Sequence, residues 1–226
     1  MRLSKSSSLV SILIVAAAIA LWIFDTYRHE HLGRFHDKQI PHEQDPGSSA
    51  PTEKPTRTGR YETYTGCTLV EDRTNDGDSF RVKLPSGRTE VIRLYFVDCP
   101  ESAFKTYSGG QNNYARIDDQ ATDMGGITPQ QAVEIGEKAK EFTLSLLGKE
   151  PFTLHTVWNS PFKDKRYSGF IVIHYNGKNR FLHEILIEKG YARIHTKGAQ
   201  LPDGTSERKQ KDHLRDLQRT AKQKER

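Results

Sequence analysis

Ser79-Phe80-Arg81-Val82-Lys83-Leu84-Pro85-Ser86-Gly87-Arg88, followed by Thr89-Glu90-Val91-Ile92-Arg93-Leu94-Tyr95-Phe96-Val97, reads as strand, turn and strand. The first six residues alternate polar and apolar, which is the period of a strand with one buried face. Pro85 to Arg88 is the turn, and Thr89 to Val97 is a second, more buried strand. Working outward, Cys67 to Val70 precedes this pair, while Phe152 to Trp158 and Tyr167 to Tyr175 follow it. The last of these runs into Asn176-Gly177, a strong hairpin dipeptide.

Three helices are legible. Thr128-Pro129-Gln130-Gln131 combines an N-cap, proline at the first helical position and a capping-box Gln. Ala132, Ile135, Ala139, Phe142 and Leu146 then recur at spacings of three and four until Gly148. Leu182 to Lys189 is a shorter helix stopped by Gly190, and Leu214, Leu217 and Ala221 mark one face of a C-terminal helix within 206–226. Five short strands with a helix after the third predict an α+β fold: a five-stranded Greek-key barrel of OB type with three packed helices. Ser102 to Ile127 shows no period and reads as a long loop.

Composition bounds the rest. The 226 residues carry 34 Lys and Arg against 29 Asp and Glu, a net charge of +5, with mean hydropathy −0.73 and a pI near 9.1. A polytopic membrane protein and a coiled-coil rod are thereby excluded, and one core of roughly 130–150 residues is affordable in apolar content. Ser206 to Arg226 holds eight basic and four acidic residues, which fits a polyanionic partner or simply a solvated helix face. Arg2 and Lys5 precede the apolar run Leu9 to Phe24. As a helix it spans about 24 Å, and its continuation past Ala18-Ile19-Ala20 to Trp22 favours a signal anchor (1–24) over a cleaved signal peptide. The expectation is an exported domain, tethered to the membrane or secreted. Residues 25–60, with four prolines and no apolar period, read as a disordered linker, and His29, His31, His36 and His42 within it as solvated. The folded domain is expected over 61–226. Cys67 and Cys99 either form one disulfide outside the cytoplasm or stay as two free thiols.

Asn75-Asp76-Gly77-Asp78-Ser79 is, alone, an ordinary turn. Arg93-Leu94-Tyr95-Phe96-Val97-Asp98-Cys99-Pro100-Glu101 adds an Arg inside an apolar strand and two carboxylates past its end. A charge in a buried strand is rare unless paired or functional, and Asp78, Asp98 and Glu101 together offer the hard oxygens that suit Ca²⁺.

With these pieces in order, joined by Gly136-Glu137-Lys138-Ala139, Asp164-Lys165 and Leu182-His183-Glu184, the chain resembles the staphylococcal nuclease (thermonuclease) family from about Cys67 to Ala221. The resemblance implies an OB-fold enzyme that binds one Ca²⁺ and hydrolyses DNA and RNA to 3′-phosphates; separately, a monomer is expected. It implies Asp78, Asp98 and the backbone carbonyl of Cys99 as metal ligands, with Asp76 in the outer shell. Glu101 would orient or deprotonate water, Arg93 would neutralise the phosphate, and Lys165 and Tyr167 would contact phosphate or nucleotide. Two departures stand out. Asp164-Lys165-Arg166-Tyr167-Ser168-Gly169 places Ser168 where the family carries its second Arg, and Arg166, two residues upstream on the same strand face, is expected to replace it. His195 and Thr196 stand where the family has stacking aromatics. A non-catalytic OB module that binds nucleic acid, and a structural Ca²⁺-binding module, remain the competing readings.

Overall fold

The computed structural model describes residues 54–160 and 165–224. The chain divides into units 1–48 and 49–226, and every described residue belongs to the second. The expected anchor or signal (1–24), most of the linker, and Asp164 lie outside the described residues. Among the described residues no helix is long and apolar enough to cross a membrane.

The strands are β1 (Thr56–Thr58), β2 (Tyr61–Leu69), β3 (Ser79–Lys83), β4 (Thr89–Leu94), β5 (Val97–Asp98), β6 (Phe152–Thr156), β7 (Tyr167–Tyr175), β8 (Lys178–Phe181) and β9 (Arg193–Ile194). The helices are α1 (Tyr114–Asp123), α2 (Pro129–Leu147), α3 (Leu182–Glu188) and α4 (Glu207–Lys224). Strands β2, β3, β4, β7 and β6 hydrogen-bond in that order, and β6 pairs again with β2 from Glu62↔Thr156 to Cys67↔Phe152. That return pairing closes a five-stranded barrel, consistent with the OB expectation. Only β4 and β7 run parallel; the other barrel pairs are antiparallel. β1 extends β2 within what the sequence suggested was linker, and β8 folds onto β7 through Asn176-Gly177, where φ is +51° and +79°. Both residues in the left-handed region are what the two-residue hairpin requires.

Alternation on β3, from buried Phe80 and Val82 to partly exposed Arg81 and exposed Lys83, points one face into the barrel. There Tyr61, Phe80, Ile92, Leu154 and Phe170 pack as one core. Helix α2 starts as its sequence predicts: Thr128 accepts from the Gln131 N–H, and the Gln131 side chain accepts from the Thr128 N–H.

Two expectations need correcting. Among the described residues four helices are present, not three, because α1 lies inside the segment that reads as a long loop. Its only buried residues are Ile117, Gln120 and Ala121, of which Ile117 and Ala121 join Ala132 and Val133 of α2 in a small second cluster. One apolar i, i+4 pair is too little to show a helical period. The predicted strand Thr89 to Val97 is also interrupted. It breaks at Phe96, whose φ of +72° is unusual for a bulky residue, and resumes as β5.

His183 on α3 is fully enclosed, its ring 5.5 Å from those of Phe96 and Phe170 and 5.4 Å from that of Phe181. Gln210 of α4 donates its amide N–H to Glu184 at 2.8 Å and to His183 Nε2 at 2.9 Å. The imidazole is therefore a neutral acceptor there, and burial pushes its pKa down to about 3. An unfolded chain protonates this histidine near 6.5, while the folded state refuses the proton until about 3. Its contribution to stability is thus whole above about pH 6.5 and declines as pH falls, by up to about 1.4 kcal/mol per unit. Urea titrations of wild type and His183→Gln from pH 7 to pH 4.5 should show the stability difference shifting in favour of the variant at that slope. A difference that does not change with pH would contradict the neutral buried histidine.

Candidate active site

The break at Phe96 sets the site. Its N–H donates to the Lys197 carbonyl at 3.1 Å, and its carbonyl accepts from the His195 N–H at 2.9 Å. Beyond it, β5 leaves the barrel and pairs with β9, aligning Asp98 with Arg193. The Asp76-Gly77-Asp78 turn is docked on this exit. Asn75 braces it by donating to the Val70 carbonyl and accepting from the Arg81 N–H, both at 2.8 Å. Asp78 Oδ2 accepts from the Cys99 N–H at 2.8 Å, and the Asp78 carbonyl from the Leu94 N–H at 2.9 Å. Gly136 lets α2 press on the same segment, since a Cβ there would lie 2.5 Å from the carbonyl oxygens of Pro100 and Glu101.

Asp98 is ringed by guanidinium groups. Its Oδ1 accepts from Arg93 Nη2 at 2.6 Å and Arg116 Nη2 at 2.8 Å; its Oδ2 accepts from Gln120 Nε2 and Arg193 Nε, each at 2.9 Å. Arg93 Nη2 also reaches Asp78 Oδ2 at 3.1 Å. Arg116 Nε holds Glu101 at 2.8 Å, Asn113 touches the other Glu101 oxygen at 3.4 Å, and Arg193 Nη1 grips Asp123 at 2.6 Å. Gln120 spends its remaining capacity on the Glu101 N–H and the Cys99 carbonyl, at 3.0 and 3.1 Å.

These surroundings drive neighbouring carboxyls in opposite directions. Burial lifts Asp78 to about 6, with Arg93 opposing and Asp98 adding to the rise. Burial alone would raise Asp98 too, but Arg116, Gln120, Arg93 and Arg193 together hold it below the usual carboxylate range. Asp76 is raised by burial and by the charge of Glu101, against the Gly77 N–H.

All the carboxylates anticipated from sequence converge. Asp76, Asp78, Asp98 and Glu101 line one open cavity of about 740 Å³ together with Arg93, Cys99, Arg116, Arg166, His195, Thr196 and Lys197. Arg166 reaches it although β7 begins only at Tyr167 and Lys165 has φ +59°, so a regular strand is not what directs it. Ser168 is buried, in parallel register with Arg93. Lys165 and Tyr167 do not line the cavity: the first is exposed, and the second packs edge-on against Trp158 at 5.1 Å. Cys67 and Cys99 are both buried free thiols, which removes the disulfide alternative. Arg116, Gln120 and Arg193 were not expected at the site. Arg116, Gln120 and Asp123 recur at spacings of four and three, a polar helical stripe that was the one signal available.

Among the described residues no three His, Cys, Asp or Glu side chains close around a common metal position. The anticipated set asks for only two carboxylates and a main-chain carbonyl. Asp78 and Asp98 lie within 3.1 Å of the same Arg93 nitrogen, and Asp78 is a buried carboxylate whose charge is incompletely matched. That donor chemistry fits a hard cation.

The guanidinium groups are not equivalent. The Arg193 side chain is 5% exposed and bound to a carboxylate 1% exposed, whereas that of Arg116 is 44% exposed. Removing one partner of a buried pair is costly, and removing a half-exposed one is not. Arg193→Met should therefore destabilise the fold by about 3 kcal/mol in urea, and Arg116→Met by less than about 1 kcal/mol. Equal losses would place Arg116 in the structural frame.

A family model described as staphylococcal nuclease homologue matches residues 91–226. No curated protein matches the chain. The matched span carries Arg93, Asp98, Cys99, Glu101, Arg116, Arg166 and Arg193, while Asp76 and Asp78 precede it and reach the cavity through β3 and its docked turn. By this match over more than half its length, and by a closed barrel that carries the carboxylate and guanidinium cluster, the chain belongs to the staphylococcal nuclease homologue family.

Proposed function

We propose that the protein is an endonuclease that hydrolyses phosphodiester bonds of DNA or RNA and leaves 3′-phosphate ends. The observation that carries this reading is the meeting, in one open cavity, of the Asp78–Arg93–Asp98 cluster with Glu101 and Arg116. Ca²⁺ would be held by Asp78, Asp98 and the Cys99 carbonyl, with Asp76 behind them, and when bound it supplies neutralisation of phosphate charge. Glu101, held by Arg116 and Asn113, accepts a proton from the attacking water. As the new P–O bond forms, the bond to the 5′-oxygen breaks, and that oxygen takes up the proton. Guanidinium groups match phosphate oxygens with parallel N–H donors. Arg93 offers one; Arg116 on α1 and Arg166 just before β7 offer two more. Arg116, on a helix that the sequence did not reveal, joins Arg166 as a candidate for the place left by Ser168. The apolar run Leu9 to Phe24 supports a domain exported and tethered to the membrane.

One observation favours a second reading, a module that binds nucleic acid without cutting it. Both oxygens of Asp98 already accept hydrogen bonds, so a cation must share or displace donors there. Incubation of the full chain with single-stranded DNA, with Ca²⁺ or with EDTA, separates the two. Cleavage only with Ca²⁺ supports the enzyme; retention of intact strands under both conditions supports the binder. For the enzyme, Arg93→Met and Arg116→Met should each lower kcat by about 10²–10³, with Arg166→Ala measured alongside. A loss in Arg166→Ala but not in Arg116→Met would return the second phosphate contact to Arg166.

A further inference from the structure

Three large apolar side chains stand exposed among the described residues: Phe104 at 42%, Tyr107 at 50% and Tyr114 at 45%. All fall within eleven residues of one another, on the segment between β5 and α2 that also carries Arg116. Isolated exposed aromatics are unremarkable in number, but a group on one short segment marks a binding surface.

The segment is built, not loose. Asn113 ties it to the cavity, donating to the Ala103 carbonyl at 2.9 Å and to Glu101 at 3.4 Å, and accepting from the Lys105 N–H at 2.8 Å. Phe104 and Tyr114 flank this tie, with ring centres 5.4 Å apart and planes nearly perpendicular. Tyr107 is presented by a tight turn, its N–H bonded to the Gln111 carbonyl at 2.7 Å beneath a Thr106↔Asn112 bridge. Phe104 is three residues from Glu101, a reach of about 10 Å at most, and Tyr114 is two residues from Arg116. The rings do not line the cavity themselves, but two of them follow or precede a lining residue by two or three positions, so the group begins within about three stacked nucleotides of it.

We propose that Phe104, Tyr107 and Tyr114 form a stacking platform for the unpaired bases of a single-stranded nucleic acid whose backbone lies in the cavity. The inference rests on the nuclease reading and names a subsite for it. Position selects this occupant: Arg116, on the same segment as the rings, lines the cavity with Arg93 and Arg166, where backbone phosphates would lie, while the uncharged π-faces two to twelve residues from it take bases. A protein partner or a second copy of this chain would cover the rings without requiring bases.

The test is strand binding by the full chain in EDTA, read by fluorescence anisotropy. The probes are an oligothymidylate and an abasic oligodeoxyribose phosphate of equal length, with cleavage of the former in Ca²⁺ measured separately. Phe104→Ala with Tyr114→Ala should weaken oligothymidylate binding about 10- to 100-fold and leave abasic binding within about twofold. Phe104→Trp with Tyr114→Trp should keep wild-type discrimination, which separates stacking from any loss of fold. Equal weakening on both probes, no weakening on either, or a change of the alanine variant's oligomeric state in gel filtration overturns the platform. If wild type cleaves while the rings prove irrelevant, the nuclease reading stands and only this subsite falls. If wild type neither binds nor cleaves either strand, both fall together.

Discussion

The buried carboxylate of Asp98 is the constraint on which the rest of the site depends. It is 1% exposed and accepts hydrogen bonds from three arginines and a glutamine that come from β4, α1 and β9. A charge so enclosed is tolerable only when matched and fully hydrogen-bonded. Each donor that satisfies it is therefore fixed by the same requirement. The barrel, the α1 segment and the β5–β9 ribbon are joined through that one side chain.

This arrangement explains why fold and site are hard to separate. The left-handed turn at Phe96 carries the chain out of the barrel so that Asp98 lies beside Arg193 and not on the barrel wall. Such backbone conformations cost energy and persist where the surrounding structure over-determines them. Here the main-chain bonds to Lys197 and His195 do so, and both of those residues line the cavity. Gly136 makes the matching allowance on the other side by letting α2 approach the Pro100–Glu101 backbone. Structural economy and site geometry thus use the same residues.

Electrostatics divides the carboxylates into two kinds. Asp98 is over-supplied with positive charge and kept ionised, while Asp78, equally hidden, shares a single arginine and is pushed towards protonation. The difference follows from who their neighbours are, not from depth. Asp98 is thereby the saturated carboxylate of the pair and Asp78 the under-matched one. The same reasoning distinguishes the arginines: Arg193 is consumed by two carboxylates, whereas Arg116 keeps an exposed edge.

Local chemistry was legible from the residues themselves. Alternation on β3, the Asn176-Gly177 hairpin and the Thr128–Gln131 capping box depend on contacts one to four residues apart, which a linear reading sees directly. The carboxylates and Arg93 were also legible, because charges beside an apolar strand are conspicuous. Helix α1 was not, since its apolar face is one isoleucine and one alanine resting on α2. Nor were Arg116, Gln120 and Arg193, whose partners lie between 15 and 95 residues away along the chain. Their roles are set by where β5 pairs after the turn at Phe96, and strand pairing over such separations is decided by the closed barrel and its burial, not by the spacing of residues in sequence.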